Sequence, residues 1–317
     1  MYQIVNLQQD WNLISLKSKD HFKASNLLQH HAIQFIAMGS LSYHSMLKSD
    51  DGNIMKWDFY KRMIVGKWID AELYPFKLAI RLDNLELLMV KPPFTITEKI
   101  NMQGKTKEEI FDWLKEQIDK VGIKEGNLSM DLSYNIPHHK TDDGFPFEIQ
   151  NKNEMEALAS FRNNSEIILH YLSNFFDNCT SVGISPVTFN SSFIVNLTPG
   201  GDDNSLKAID IGFAAPDDLI DHYYFYATPV NSIQHEISYD NIHQLNGDGQ
   251  WLINDSLVAA LPLDRFYRDN KKEKQIYRVL SFYLTAINNF LDILIVPEHK
   301  LSGKELFGDK VSLFLDW

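Results

Sequence analysis

The chain has 317 residues, 44% of them apolar and 12% aromatic, which is ample material for a large core and excludes an intrinsically disordered protein. Asp and Glu number 42 against 30 Lys and Arg, a formal charge of -12. A surface that negative repels phosphate backbones and anionic headgroups, so neither nucleic acid nor a membrane surface is expected as a partner.

The single cysteine, Cys179, closes no intrachain disulfide and excludes a cluster of thiolates around zinc, so any metal would need His and carboxylate ligands. The first residues lack the basic and apolar regions of a secretory signal. The longest apolar run, Val279 to Leu294, is interrupted by Ser281, Thr285, Asn288, Asn289 and Asp292 and falls short of the roughly 20 residues of a membrane span. A cytoplasmic location is expected, and the sequons at Asn163, Asn178, Asn190 and Asn196 carry no weight there.

Residues 1–25 read as a mixed polar leader that packs onto the body. Helical spacing then runs from Leu27 and Leu28 through Ile33, Phe35, Ile36 and Met38, with Gly39 as its stop. After the polar turn Ser49 to Asn53 the period changes to two, which predicts strands at Met63 to Ile69, Phe76 to Leu82, Leu85 to Val90 and Thr95 to Met102. Thr106 and Glu109 form a capping box for a helix that carries Ile110, Trp113, Leu114, Ile118 and Val121 on one stripe and stops at Gly122. Residues 123–152, with Pro137, Pro146 and the turn Asp142-Asp143-Gly144, read as a long connection.

The second half opens with a helix from Asn153 to Asn178, whose stripe reaches Phe175 and Phe176. Strand patterns follow at Val187 to Leu197, Leu206 to Phe213, Tyr223 to Thr228 and Trp251 to Leu261. A strongly apolar helix, Lys271 to Leu294, closes this half, and Val311 to Trp317 alternates as a final edge strand would. The expected class is α+β: a large antiparallel or mixed sheet, or two sheets, with helices packed to one side. Residues 26–122 and 153–317 form two halves, each helix, four strands, helix, within one compact unit, and the shared order raises the question of a duplication.

No motif dictates a chemistry. Thr198-Pro199-Gly200-Gly201-Asp202 lacks the lysine and helix of a phosphate loop, and Ser191-Ser192 lies inside a strand pattern rather than at a nucleophile elbow. On a helix His30 and His31 point about 100° apart, and four residues beyond His30 stands Gln34, so no helical His pair exists. His138-His139 with Asp142 could converge only as a loop. Neither a metal nor another cofactor is expected.

Asp-Asp pairs begin at Asp50, Asp142, Asp202 and Asp217, beside Gly, Asn or Pro as in solvated turns, and none fits a calcium loop. In His222-Tyr223-Tyr224-Phe225-Tyr226, period two puts His222, Tyr224 and Tyr226 on one face. That face either packs as part of a central strand or lines a pocket in which the hydroxyls orient a bound molecule.

In order along the chain, Leu28 to Gln34, Asp50-Asp51, Trp57, Val65-Gly66, Ser185-Pro186-Val187 leading to Phe193, Ile211-Gly212 through Pro216-Asp217, Tyr224-Phe225-Tyr226 ending in Pro229, and Trp251 resemble an uncharacterised family of bacterial cytosolic proteins. The resemblance implies the fold and the location. Members typically carry Trp-Pro-His-His-Phe-Asp after Ser-Pro-Val, where this chain reads Phe189-Asn190-Ser191-Ser192-Phe193-Ile194, so imidazoles of that run are missing.

Two functions are carried forward. The first is a non-catalytic protein that binds a small molecule or another protein, with His30, Gln34, Asp50, Trp57, Asp217, His222, Tyr224, Tyr226 and Trp251 as candidate contacts. The second is a hydrolase with a cleft formed by His30, Asp50, Asp217 and His222. Oligomeric state is not legible.

Overall fold

The computed structural model describes residues 4–15, 22–43, 55–123, 128–198, 207–231, 242–253, 257–294, 300–302 and 306. Among them are five α-helices and two antiparallel sheets, of five and six strands, so the class is α+β. The helices are α1 (Ile4–Asp10), α2 (Lys23–Tyr43), α3 (Lys107–Lys120), α4 (Lys152–Ser173) and α5 (Lys272–Ile293). Asp50, the Asp202-Asp203 pair and the alternation at 311–317 lie outside the described residues. The chain divides into two compact units: His21–Asn163 with Gly183–Asn190, and Met1–Asp20 with Asn164–Val182 and Ser191–Trp317.

In the first of these units β1 (Lys56–Asp58), β2 (Met63–Val65), β3 (Lys77–Arg81), β4 (Glu86–Lys91) and β5 (Thr95–Asn101) follow one another as an antiparallel meander. Helix α2 packs on it through Leu28, Phe35 and Ile36, against a core that includes Leu78, Ile80, Leu87 and Met89. Gly39, expected as a stop, lies inside α2. A Cβ there would come within 2.5 Å of the Leu78 Cδ1, so the glycine serves the close approach of helix to sheet. On the other face Met63, Val65, Ala79, Leu88 and Val90 are also buried. Beside them Arg81 and Lys99 both reach Glu86, at 2.5 and 2.9 Å, and their aliphatic stems help to cover the patch.

The strand expected from Met63 to Ile69 stops at Val65, because Gly66 tucks under Ile36 and Ser40; beyond it only Ile69 bridges Phe76. Strand β1 was too short to show a period. The capping box of α3 is present, with Thr106 Oγ1 accepting from the Glu109 amide at 3.2 Å and Glu109 Oε2 accepting from the Thr106 amide at 2.8 Å. Ile110, Leu114 and Ile118 are buried, while Trp113, at the edge of the stripe, is only partly so. Residues read as a connection supply Phe147 to this core and a 3₁₀ turn at Lys140–Asp143.

The second unit holds β7 (Ser191–Asn196), β8 (Lys207–Ala214), β9 (Tyr224–Asn231), β10 (Gln250–Ile253) and β11 (Leu257–Pro262), ordered β10-β11-β9-β8-β7; β6 (Gly183–Ile184) precedes them in the chain. Helix α5 covers one face, where Phe225 meets Tyr283 at 6.1 Å between ring centres, and Leu280, Ile287 and Leu291 are buried. The single strand expected from Trp251 to Leu261 is two, since Ile253 pairs with Leu257. Asn254-Asp255-Ser256, residue types common in turns, lies outside the described residues.

Strand β7 likewise begins only at Ser191, because Ser185 Oγ accepts from the Val187 and Thr188 amides and bends that stretch into a turn. Helix α4 ends at Ser173, where the Asn174 side-chain amide donates to the His170 carbonyl at 2.6 Å. Phe175 and Phe176 therefore lie beyond it and are half-buried. The leader forms α1 and buries Leu7, Trp11 and Ile14. Its partner is Gln275 of α5, whose Oε1 accepts from Trp11 Nε1 (3.0 Å) and the Ile14 amide (2.9 Å) while Nε2 donates to the Ile14 and Asp269 carbonyls. All four of that amide's bonds are thus used. Among the described residues no helix is long and apolar enough to cross a membrane.

Candidate functional site

The aromatic run forms the start of β9, and its period-two alternation places Tyr224 and Tyr226 away from α5, where both are buried. Tyr226 lies over Gly212, where a Cβ would come within 2.5 Å of its ring, and donates to Asp210 Oδ2 at 3.0 Å. Burial raises the Asp210 carboxyl above its usual range, and Asp210 Oδ1 has no hydrogen-bond partner among the described residues. Tyr224 donates to Asp217 Oδ2 at 2.6 Å, and Asp217 Oδ1 accepts from the Leu219 and Ile220 amides. Asp217 is therefore the anchor of a turn. His222 is partly exposed, and Trp251 donates its indole N–H to the His243 carbonyl at 3.0 Å and packs edge-on against Phe290.

In the other unit, His30 Nε2 and Gln34 Nε2 both donate to the Pro186 carbonyl, at 2.9 and 3.0 Å, and Tyr134 donates to Gln34 Oε1 at 2.8 Å. His30 stacks on Phe189, whose ring carries the Arg162 guanidinium on its face at 4.5 Å. Trp57 donates to Asn163 Oδ1 at 3.2 Å. Next to His30, His31 donates Nε2–H to the Pro137 carbonyl at 2.9 Å, so its Nδ1 accepts from Lys107 Nζ at 3.0 Å. Lys107 also binds Asp142, whose Oδ2 accepts from the His139 amide at 2.9 Å. Burial lowers the pKa of both His30 and His31 to about 4. Both imidazoles are neutral and each holds a loop to α2.

A concave site of about 530 Å3 lies in the second unit, lined by residues 244–250, Arg265 and Arg268. One wall is the type I′ turn Asn246-Gly247-Asp248-Gly249: Gly247 and Asp248 have φ of 66° and 65°, and the Gly249 amide donates to the Asn246 carbonyl at 3.1 Å. The other is the 3₁₀ helix Leu263–Arg268, started by Pro262, in which Arg265 and Arg268 stand three apart and so on the same side. Arg278 of α5 braces both walls. Its Nε and Nη2 reach Asp269 at 2.6 and 3.2 Å, and its Nη1 meets the Gly247 carbonyl at 3.2 Å and the Asp248 carboxylate. The carboxamides of Gln244, Asn246 and Gln250 have no side-chain hydrogen bond to any described residue.

The sequence reading singled out none of these lining residues. The Asn-Gly-Asp-Gly turn was legible as turn chemistry, but the i,i+3 spacing of Arg265 and Arg268 carried no signal until the segment after Pro262 was seen to wind as a helix. The tyrosines, expected at the pocket, do not line this one. Among the described residues no three His, Cys, Asp or Glu side chains gather so as to hold a metal ion. Comparison with known proteins found no match to this chain among family models, curated proteins or solved structures.

Proposed function

We propose that the protein is a non-catalytic binder of a small anionic molecule, held in the cleft between the Asn246–Gly249 turn and the Leu263–Arg268 helix. The observation that carries this reading is a cleft lined both by two guanidiniums, from one side of a 3₁₀ helix, and by three carboxamides that make no side-chain hydrogen bond among the described residues. Guanidinium stays charged at every physiological pH and matches carboxylate or phosphate oxygens in pairs. Small-molecule sites are usually mostly apolar; this one has Leu245 as its single large apolar side chain, so charge and hydrogen bonds must supply the affinity.

The hydrolase alternative draws no support from His30 or Asp217, since both are engaged with backbone groups. A cytosolic protein, with kinship to the bacterial family it resembles, is part of the same proposal.

The test is a thermal-shift screen at low ionic strength with anionic, neutral and cationic small molecules. Anions alone should raise the melting temperature, because a ligand of the native state stabilises it by mass action. The shift should vanish in Arg265→Ala/Arg268→Ala, whose own melting point should stay near that of the parent, since both side chains are exposed. Shifts given by neutral or cationic molecules, or anion shifts that survive in the double variant, would refute the proposal.

A further inference from the structure

In the first unit, and independently of the cleft, we infer that residues 137–144 form a strap that acid releases from α2 and α3, with His31 as its trigger and Lys107 with Asp142 as its clasp. The strap hangs between two fixed points. Before it, the Tyr134 hydroxyl donates to Gln34 Oε1 at 2.8 Å. After it, Phe147 is buried and its amide donates to the Lys105 carbonyl at 2.8 Å. Between these points the strap is held to α2 by the His31 Nε2–H bond to the Pro137 carbonyl, and to α3 by the pairing of Lys107 with Asp142.

The trigger follows from which atoms face one another. His31 spends its Nε2 proton on a carbonyl, and its Nδ1 lies 3.0 Å from an ammonium that can only donate. The ring is therefore neutral, and a second proton must enter at Nδ1, against Lys107. The carboxylate facing that point is Asp142, whose Oδ1 is 3.6 Å from Nδ1, but it is already bound by Lys107 and its Oδ2 accepts from the His139 amide. His139, with its ring centre 5.3 Å from that of His31, adds a further positive charge when protonated. The remaining charges of the strap are engaged elsewhere, Lys140 with Glu148 at 2.7 Å and His138 with Asp143 at 3.3 Å. His30, next along α2, points to the Pro186 carbonyl instead. At neutral pH one cation, Lys107, meets one anion, Asp142. In acid His31 joins Lys107, and His139 follows, so that cations crowd a single carboxylate; withdrawing the strap and wetting His31 relieves them. His31 is held at about 4 with the strap closed, against 6.5 in water, so opening is about twentyfold more favourable at pH 5 than at pH 7.

Amide exchange of the full chain in heavy water at pH 7 and pH 5, corrected for the intrinsic rate at each pH, tests the inference. The Thr141 and Asp142 amides, bonded to His139 Nδ1 and to the His139 carbonyl, should exchange about twentyfold faster at pH 5, since one detached 3₁₀ turn does not persist. At both pH values they should exchange at least about tenfold faster than the amides of α2 and β3, because the strap opens without the core. In His31→Gln, which keeps a donor and an acceptor but takes up no proton, the strap should exchange alike at pH 7 and pH 5. In Asp142→Asn, at an exposed position, it should exchange about threefold faster than in the parent already at pH 7. Ring nitrogen chemical shifts of the parent at pH 7 should report His31 as the Nε2–H tautomer. No acid increase in the parent, an increase that persists in His31→Gln, or protection of the strap equal to that of α2 and β3 would overturn the inference. An Nδ1–H tautomer would do so whatever the variants show, and unchanged exchange in Asp142→Asn would remove the clasp.

Discussion

The polar groups around α2 and those around the cleft differ in one respect. Gln29 donates to the Leu82 carbonyl, His30 and Gln34 converge on Pro186, and His31 joins Pro137 to Lys107; all are buried and each is closed on a partner. Gln244, Asn246 and Gln250 lie at a concave surface, and their side-chain amides make no hydrogen bond among the described residues. A polar group buried in a core must be paired or it destabilises the fold, so its pairing speaks of architecture. Uncommitted amides that line one cleft together with two guanidiniums speak of a ligand. Unusual residue types drew attention to the first set, yet the second is the one with valence to spare.

The largest effect expected from this contrast is in acid. Burial lowers His30 and His31 to about 4 from 6.5, so the unfolded chain takes up these protons first as pH falls. Stability is therefore full above pH 6.5, is lost as pH falls from there toward 4, and changes no further below that for these groups. At about 1.4 kcal/mol per pKa unit the two together amount to several kcal/mol, and urea midpoints measured from pH 7 to 4 read it out. Replacing His31 by Gln should remove about one proton from the uptake linked to unfolding. An unchanged pH slope would mean that His31 is already charged in the native protein, and its place in the closed set would be lost.

Next comes the amide contrast itself. Gln275→Ala leaves the Trp11 and Ile14 N–H groups and two carbonyls without their partner and should cost about 3 kcal/mol in urea unfolding. Gln250→Ala should stay within about 0.5 kcal/mol. Similar losses for the two would erase the distinction between closed and open amides.

The smallest effect concerns Asp210, whose Oδ1 has no hydrogen-bond partner among the described residues. Its pKa is raised by burial, so the native state holds this proton more tightly than the unfolded chain, and stability is lost as pH rises from 3.8 through the native value. Asp210→Asn should then stabilise the protein at pH 7 by about 1 kcal/mol, with the gain vanishing below the unfolded carboxyl's range. Destabilisation of similar size at pH 7 would show that the ionised oxygen has a stabilising partner.

Much of the fold was legible because period and capping act locally. The Thr106–Glu109 box, the β3 and β4 alternation and the apolar run of α5 all report on their own segment. What failed depended on distant residues. Gly39 looked like a stop until Leu78 was seen to need its space, and Phe147 looked like loop until it entered the core of α2 and β3. The candidate site was less legible still. His222, Tyr224 and Tyr226 were read as one face, and the two tyrosines do share it, but each hydroxyl is closed on a carboxylate, Asp217 or Asp210, as hydrogen-bonded packing. The cleft is lined by Gln, Asn and Arg, types too common to draw notice until a 3₁₀ helix and the turn before β10 bring them to one concave surface.

Hydrogen–deuterium exchange of the full chain with and without the anion that gives the largest thermal shift tests the central claim most directly. Slowed exchange at residues 244–250 and 263–268, lost in Arg265→Ala/Arg268→Ala, is the expected result. Protection centred on Tyr224–Tyr226, or on the loop from Pro137 to Asp143, with the cleft unchanged would contradict the account, because it would place the ligand on groups already closed on one another.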